Sequence, residues 1–149
     1  MGFTSIEIVN VLFKHLQNSV LMSDVKKPSG KLCKYQKPLN SILEDVVING
    51  LPIIKGDVDE AVLNVNIYVP NILYPKDSPL FGDRSQPDTA RLLVLSKLGN
   101  QAFSDGADDD GEIWDEAGGY CLKYQQDTVM EDDNNMHYIN FRIEFYSSI

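Results

Sequence analysis

The clearest pattern in this chain is a strict alternation of apolar and polar residues near its middle, between Val62 and Val69. A period of two predicts a β-strand with one buried face. The preceding run, residues 44–49, is short and rich in β-branched residues, which favours a neighbouring strand. We therefore predict an antiparallel hairpin with a long loop. The second strand has Leu63, Val65, Ile67 and Val69 on its buried side and Asn64, Asn66 and Tyr68 on its outward side.

A second hairpin is predicted at the end of the chain. Residues 136–146 alternate well, residues 120–130 alternate loosely, and the polar run 131–135 lies between them as a turn. Two alternating runs joined by a polar turn are typical of a hairpin. The inward residues of the last strand are Ile139, Phe141, Ile143 and Phe145, and its outward residues are Tyr138, Asn140, Arg142, Glu144 and Tyr146.

Two segments have apolar residues at spacings of three and four, which predicts helices with one buried face. The first runs from residue 4 to about residue 22, with Thr4 or Ser5 as N-cap, and the second from Asp88 to about Phe103, with Asp88 or Ser85 as N-cap. The first stripe comprises Ile6, Val9, Phe13, Leu16 and Val20, widened by Ile8 and Leu12; the second comprises Leu92, Leu95, Leu98 and Ala102.

Together these segments predict one α+β domain over residues 1–149. Residues 31–36 can add a short edge strand, since lysines and the nearby Pro38 suit a solvent-facing edge. We predict an antiparallel sheet of about four or five strands with two helices packed on one face.

Two long connections are candidate partner surfaces. Hairpin loops normally contain about two to five residues, but the loop 50–60 is longer and carries Leu51, Ile53 and Ile54. These side chains either contact a partner or fold back under their own loop. The segment 70–88, here called the proline-rich arm, contains four prolines and cannot lie inside a sheet. We predict subunit contacts by its apolar residues, of which the candidates are Tyr74, Leu80 and Phe81.

The charge of the chain restricts its partners. Thirteen Lys and Arg against 22 Asp and Glu give a net charge of −9. This balance argues against specific nucleic-acid binding, which depends on cationic contacts to phosphates, and against binding to anionic membranes. The single basic cluster is best interpreted as a solvated edge, with a phosphate-binding patch as the alternative; it comprises Lys26, Lys27, Lys31, Lys34 and Lys37.

For residues 104–119, here called the acidic segment, the composition predicts a flexible acidic loop. This loop also contains the sole tryptophan, Trp114, which is a further candidate for the oligomer or partner interface. The segment resembles part of a calcium loop, but Gly106 occupies the position of the first ligand and Ala117 that of the twelfth. A calcium loop requires carboxylates at both positions, so we predict a flexible loop without a metal site, with generic divalent-cation binding as the alternative. The acidic residues are Asp105, Asp108, Asp109, Asp110, Glu112, Asp115 and Glu116.

No pattern of catalytic residues is recognisable. His15 and His137 have no Cys or Ser partner in a known local arrangement, and no glycine-rich phosphate-binding motif occurs. Cys33 and Cys121 are far apart and predict buried or half-buried free thiols. We predict a protein that is not an enzyme and needs no cofactor.

Two local motifs resemble the tail-terminator and tail-completion proteins of tailed bacteriophages. They are Glu-Asp-Val-Val-Ile-Asn at 44–49 and Asn-Val-Asn-Ile-Tyr-Val-Pro at 64–70, with Leu51-Pro52 in the loop between them. The order of an amphipathic helix, a hairpin, a second helix and a closing hairpin is similar over most of the chain. The proline-rich arm and the acidic segment go beyond the core pattern of that family.

The resemblance implies a virion protein that forms a homo-oligomeric ring between head or connector and tail, with other neck and tail proteins as partners. An acidic lumen would let DNA slide, since like charges remove phosphate contacts. We expect 105–116 to face the lumen or a neighbouring ring, and Tyr68, Tyr138 and Tyr146 to serve as interface aromatics. The alternative is a non-enzymatic adaptor, monomeric or dimeric, that binds one protein partner through residues 51–54.

Overall fold

The computed structural model describes residues 2–148, so Met1 and Ile149 of the predicted domain lie outside it. This part of the chain has an α+β architecture, as predicted, with three helices and six strands. Their order is α1 (Ser5–Gln17), α2 (Val20–Ser23), β1 (Leu32–Lys34), β2 (Val46–Gly50), β3 (Val58–Pro70), α3 (Thr89–Ser104), β4 (Glu112–Asp115), β5 (Tyr120–Asp132) and β6 (Met136–Ser148).

All six strands form one sheet in the order β1-β2-β3-β6-β5-β4. Both predicted hairpins are present, as β2–β3 and β5–β6. They are joined by β3 and β6, which pair antiparallel along their whole lengths, from Val58 opposite Ser148 to Pro70 opposite Met136. The sheet is therefore continuous across segments that are far apart in sequence.

The sheet differs from the prediction in size and in the direction of one strand. It has six strands instead of four or five, and β1 runs parallel to β2. Parallel pairing arises because residues 35–45 carry the chain back to the end of the sheet at which β1 began. The pairing is held by the Val46 N–H, which donates to the Lys31 carbonyl at 2.8 Å, and by the Tyr35 N–H, which donates to the Ile48 carbonyl at 2.7 Å.

The hydrophobic core lies between the helices and one face of the sheet. Because side chains alternate along a strand, the β3–β6 register places the apolar residues of both strands on this face. The core residues of the two strands are Ala61, Leu63, Val65, Ile67, Val69, Ile139, Phe141, Ile143 and Phe145. Helix α3 contributes the predicted stripe, Leu92, Leu95, Leu98 and Ala102, together with Phe103.

The first helix is shorter than predicted. Thr4 caps α1 in a reciprocal capping box with Glu7. The helix ends at Gln17, and the Ser19 side chain donates to the Leu16 carbonyl at 2.7 Å. The chain then turns into the separate helix α2. The buried stripe of α1 is Ile8, Val9, Leu12 and Leu16, whereas Ile6, predicted to lie in it, is 50% exposed.

A partly buried ion pair anchors α3 to the sheet. Arg91 Nε and Nη2 donate to the two carboxylate oxygens of Glu44 at 2.7 and 2.8 Å. Arg91 Nη2 also donates to the Lys27 carbonyl, and the Ser29 N–H donates to Glu44. The ion pair ties the start of β2, the turn before β1 and the first turn of α3 together.

Helix α3 packs closely on β6 at Gly99. A Cβ at this position would lie 2.5 Å from Cζ and 2.7 Å from Cε2 of Phe141. Phe141 is buried within the core. Only glycine therefore allows this helix to approach the ring so closely.

We predict that Gly99→Ala destabilises the protein. Forcing a methyl group into a packed core costs about 1–3 kcal/mol, which outweighs the gain of about 1 kcal/mol that alanine brings to a helix. Urea unfolding measures the net change. Lys97→Ala, at an exposed position two residues earlier, is the control and should change stability by less than about 0.5 kcal/mol. A Gly99→Ala protein more stable than wild type would contradict this packing.

Candidate assembly surfaces

The proline-rich arm is anchored at its base to its own subunit. The Ile72 N–H donates to the Gln86 carbonyl at 2.9 Å, so the two ends of the arm meet. The buried Asn71 donates from Nδ2 to the Arg84 carbonyl at 2.8 Å, and its Oδ1 accepts from His137 Nδ1 at 2.7 Å. The arm is thus an ordered excursion from the end of β3.

The tip of the arm exposes apolar side chains. Leu80 and Phe81 are exposed, Tyr74 is half-buried, and Leu73, which was not among the predicted residues, is 72% exposed. Two tight turns shape the tip, in which the Ser78 N–H donates to the Pro75 carbonyl and the Phe81 N–H donates to the Ser78 carbonyl. The arm therefore presents its apolar residues to solvent on a hydrogen-bonded backbone.

The β2–β3 loop divides its three predicted aliphatic residues between two environments. Ile53 packs against the core of its own subunit. Leu51 is exposed and Ile54 is 67% exposed. Ile54 and Glu60 exchange backbone hydrogen bonds, which hold the loop as an extension of the hairpin. Ile53 thus folds back under the loop, while Leu51 and Ile54 remain available to a partner.

The acidic segment is more ordered than predicted. Four of its residues form β4, which pairs with the start of β5, and Ile113 packs against the core opposite Leu122. This apolar contact explains the strand, which the surrounding acidic residues conceal in the sequence. Trp114 is exposed on β4.

The acidic residues of this segment lie at the surface. Asp105, Asp108, Asp109, Asp110, Asp115 and Glu116 are exposed, and Glu112 is half-buried. Asp108 Oδ1 accepts from the backbone N–H groups of Asp110 and Glu112, both at 2.9 Å. Carboxylate oxygens of these same three residues lie within 4.8 Å of one another. The backbone donors explain how these like charges are held together.

The sheet face opposite the helices is polar and rich in amides. Asn140 Nδ2 donates to Asn66 Oδ1 at 2.7 Å and to Asn64 Oδ1 at 3.2 Å. The Tyr68 and Tyr138 rings lie side by side, with centroids 5.1 Å apart. All five side chains are half-buried.

Two of the proposed interface tyrosines on this face have partners in their own chain. The Lys37 ammonium lies 4.4 Å from the centroid of the Tyr68 ring and 3.8 Å from a carboxylate oxygen of Asp132. Burial raises the pKa of Tyr68 above its ordinary value. The Tyr146 hydroxyl donates to the Glu144 carboxylate. Tyr68 is therefore less available to a partner than its outward position in the sequence pattern indicates.

One exposed apolar surface was missed from the sequence. The connection between β1 and β2 exposes Leu39, at 86%, and also Ile42 and Leu43. These residues follow Pro38 without any helical or strand period. The sequence did contain a signal for this surface, namely several aliphatic residues in a stretch for which no helix or strand is predicted.

An open cleft of about 570 Å³ separates the ends of α1 and α3, and Lys14, His15, Asp105 and Tyr120 are among its lining residues. His15 Nε2 donates to the Ala102 carbonyl at 2.8 Å, so its ring links the two helices and is half-buried.

Both cysteines are free thiols, Cys33 half-buried and Cys121 buried. Burial raises the pKa of each thiol. A raised pKa lowers the thiolate fraction at neutral pH and with it the reactivity. Packing thus accounts for both residues, as the sequence predicted.

No protein-family model matches this chain, and no curated protein is significantly similar to it in sequence. Within residues 2–148, no helix combines the length and the apolar character needed to cross a membrane.

For two half-buried tyrosines that pack against the core, Tyr120 and Tyr124, we predict ionisation at an unusually high pH. Burial, aided by Asp115, raises the pKa of Tyr120 to about 12, and burial together with Asp127 raises that of Tyr124. An unfolded tyrosine ionises near pH 10. Between these values the unfolded state has lost protons that the folded state retains, so stability falls as the pH rises above about 10.

Absorbance of phenolate at 295 nm measures this titration. We expect a late component in the folded protein that disappears in urea and is reduced in Tyr120→Phe. If all seven tyrosines of the folded protein ionise in one step near pH 10, the burial of these rings is wrong.

Proposed function

We propose that this chain is a structural subunit of the neck of a tailed bacteriophage, a tail-terminator or tail-completion protein that assembles into a homo-oligomeric ring. The observation that carries the proposal is the exposure of large apolar side chains on loops that are anchored to their own subunit. Leu51, Ile54, Leu73, Leu80 and Phe81 all belong to this set.

The physical reason is the cost of leaving such surfaces in water. Contiguous exposed apolar patches are uncommon on monomers and mark sites of protein association, and Leu80 and Phe81 are consecutive exposed residues at the tip of the arm. The apolar side chains of the arm and of the β2–β3 loop gain free energy when a neighbouring subunit covers them. Hydrogen bonds at the base of the arm, such as that from Ile72 to Gln86, hold it in place. Association then loses less conformational entropy than it would with a disordered arm.

The acidic segment supports the second part of the proposal. Its exposed carboxylates repel the phosphates of DNA, so a lumen lined by them would not retain the passing duplex. The β4–β5 pairing gives these carboxylates a fixed position on the subunit. In the proposed ring, the segment faces either the lumen or an adjacent ring of the neck.

The alternative is an adaptor that binds one partner. It is favoured by the position of Leu51 and Ile54 on a different loop from the exposed apolar residues of the arm. Both project from one loop whose third aliphatic residue, Ile53, belongs to the core. This arrangement is compact enough for a single binding site without a ring. The two functions predict different oligomeric states for the purified protein.

We predict that the purified protein forms a symmetric ring and that the arm is required for it. Light scattering after size exclusion should give a mass several times 16.8 kDa, and electron microscopy should reveal rings. Leu80→Ser with Phe81→Ser should shift the protein toward the monomer, because two apolar contacts are lost.

Ile6→Ser is the matched control, since Ile6 is a half-exposed apolar residue on α1, remote in sequence from the arm. It should leave the mass unchanged. A wild-type protein that stays monomeric at every soluble concentration favours the adaptor and contradicts the ring.

A further inference from the structure

The two edges of the sheet differ in charge and in the completeness of their pairing. At one end, β4 covers only residues 120–123 of β5. From Tyr124 to Asp132 the outer edge of β5 has no strand beside it among the described residues. The backbone N–H and C=O groups of an unpaired edge can bond to another chain.

An apolar groove of about 380 Å³ lies beside this unpaired edge, between β5 and the start of α3. Its lining includes Leu93 and Val129, both exposed. The apolar residues of the groove are Pro87, Leu92, Leu93, Val129 and Ile139.

The surroundings of the groove are acidic. Asp127 lines the groove, and Glu131 and Asp133 follow at the end of β5; all three are exposed. Asp127 accepts a hydrogen bond from Tyr124 of its own chain. The β5 edge thus combines an apolar centre with a negatively charged rim.

The opposite end of the sheet is basic. Lys26, Lys27, Lys31 and Lys34 are exposed on β1 and the turn before it. Val25, next to these lysines, is 95% exposed. This edge therefore also combines an apolar side chain with charge, and its charge is opposite to that of the β5 edge.

We propose that the β5 edge and its groove bind the β1 edge of a second copy of this chain. The argument for a second copy is charge complementarity within one sequence. Copies with a net charge of −9 repel one another in most orientations, and the attraction is greatest where the lysine edge faces the acidic edge. The choice of a second copy as the bound partner rests on the proposed ring function. The charge and pairing of the two edges do not depend on that proposal.

The positions of the edges set the type of assembly. β1 and β5 lie on opposite sides of the central β3–β6 pair, so each copy uses one edge to bind a neighbour on either side. Such a head-to-tail contact is heterologous and produces a closed ring or an open chain. The apolar groove supplies the desolvated centre of the interface, and the charges at its rim determine which edge is recognised.

Charge reversal tests this interface. Lys26→Glu, Lys27→Glu and Lys31→Glu together make the β1 edge acidic, since only Lys34 remains there, and Asp127→Lys, Glu131→Lys and Asp133→Lys together make the β5 edge basic. Each triple variant should weaken self-association at least about tenfold, since like charges then face each other. A protein carrying all six substitutions has the wild-type net charge and complementary edges again. Its association should return to within a few-fold of wild type, as measured by sedimentation velocity.

Two further variants distinguish the loss of this interface from a general effect of net charge on association. Lys14→Glu with Lys97→Glu makes the net charge more negative, as the lysine variant does, but at exposed sites on α1 and α3, and should leave association nearly unchanged. Leu93→Ser with Val129→Ser removes apolar contacts of the groove without changing charge, and should weaken association. Circular dichroism checks that each variant is folded.

The outcomes distinguish this inference from the ring proposal. Rings that persist in both charge-reversed variants would overturn the edge interface and leave the ring function standing. A sixfold variant that is folded but does not regain association would likewise overturn it. A wild-type protein that remains monomeric at every soluble concentration would overturn both.

Discussion

The pairing of β3 with β6 is the constraint on which the rest of the structure depends. It joins two hairpins into one sheet through a continuous antiparallel register that spans both strands. Because the side-chain period of a strand is two, this single register decides the orientation of both strands at once. A slip by one residue would move Leu63 and Phe141 from the core to the opposite face.

The same register explains why the two faces of the sheet differ. The face under α1 and α3 is apolar, and at Gly99 the helix backbone approaches the Phe141 ring too closely for any Cβ. The other face carries amides and tyrosines that bond to each other or lie under Lys37. Several polar groups on that face have partners within the chain, and most of the exposed large apolar side chains lie on the loops between the helices and strands.

Loops and edges are connected to this centre by a small number of specific contacts. Arg91 and Glu44 tie α3 to the turn before β1, and Asn71 ties the proline-rich arm to His137 on β6. Each contact joins the rigid sheet to a segment with little core of its own. A self-associating protein needs such rigidity, because apolar residues on a disordered loop would have to be ordered at the moment of binding.

The sequence by itself determined the local elements: the two hairpins, α3 and most of the apolar stripes, since these depend on the period of neighbouring residues. It also indicated which loops carry exposed apolar residues, Leu51 and Phe81 among them. Only the tertiary structure decided that β3 pairs with β6, that β1 runs parallel to β2 and that β4 forms within the acidic segment. It also decided that Ile53 is packed inside while Leu39 is exposed. These outcomes depend on contacts between residues far apart in the chain, and no local period encodes which distant surface a strand or an isoleucine will meet.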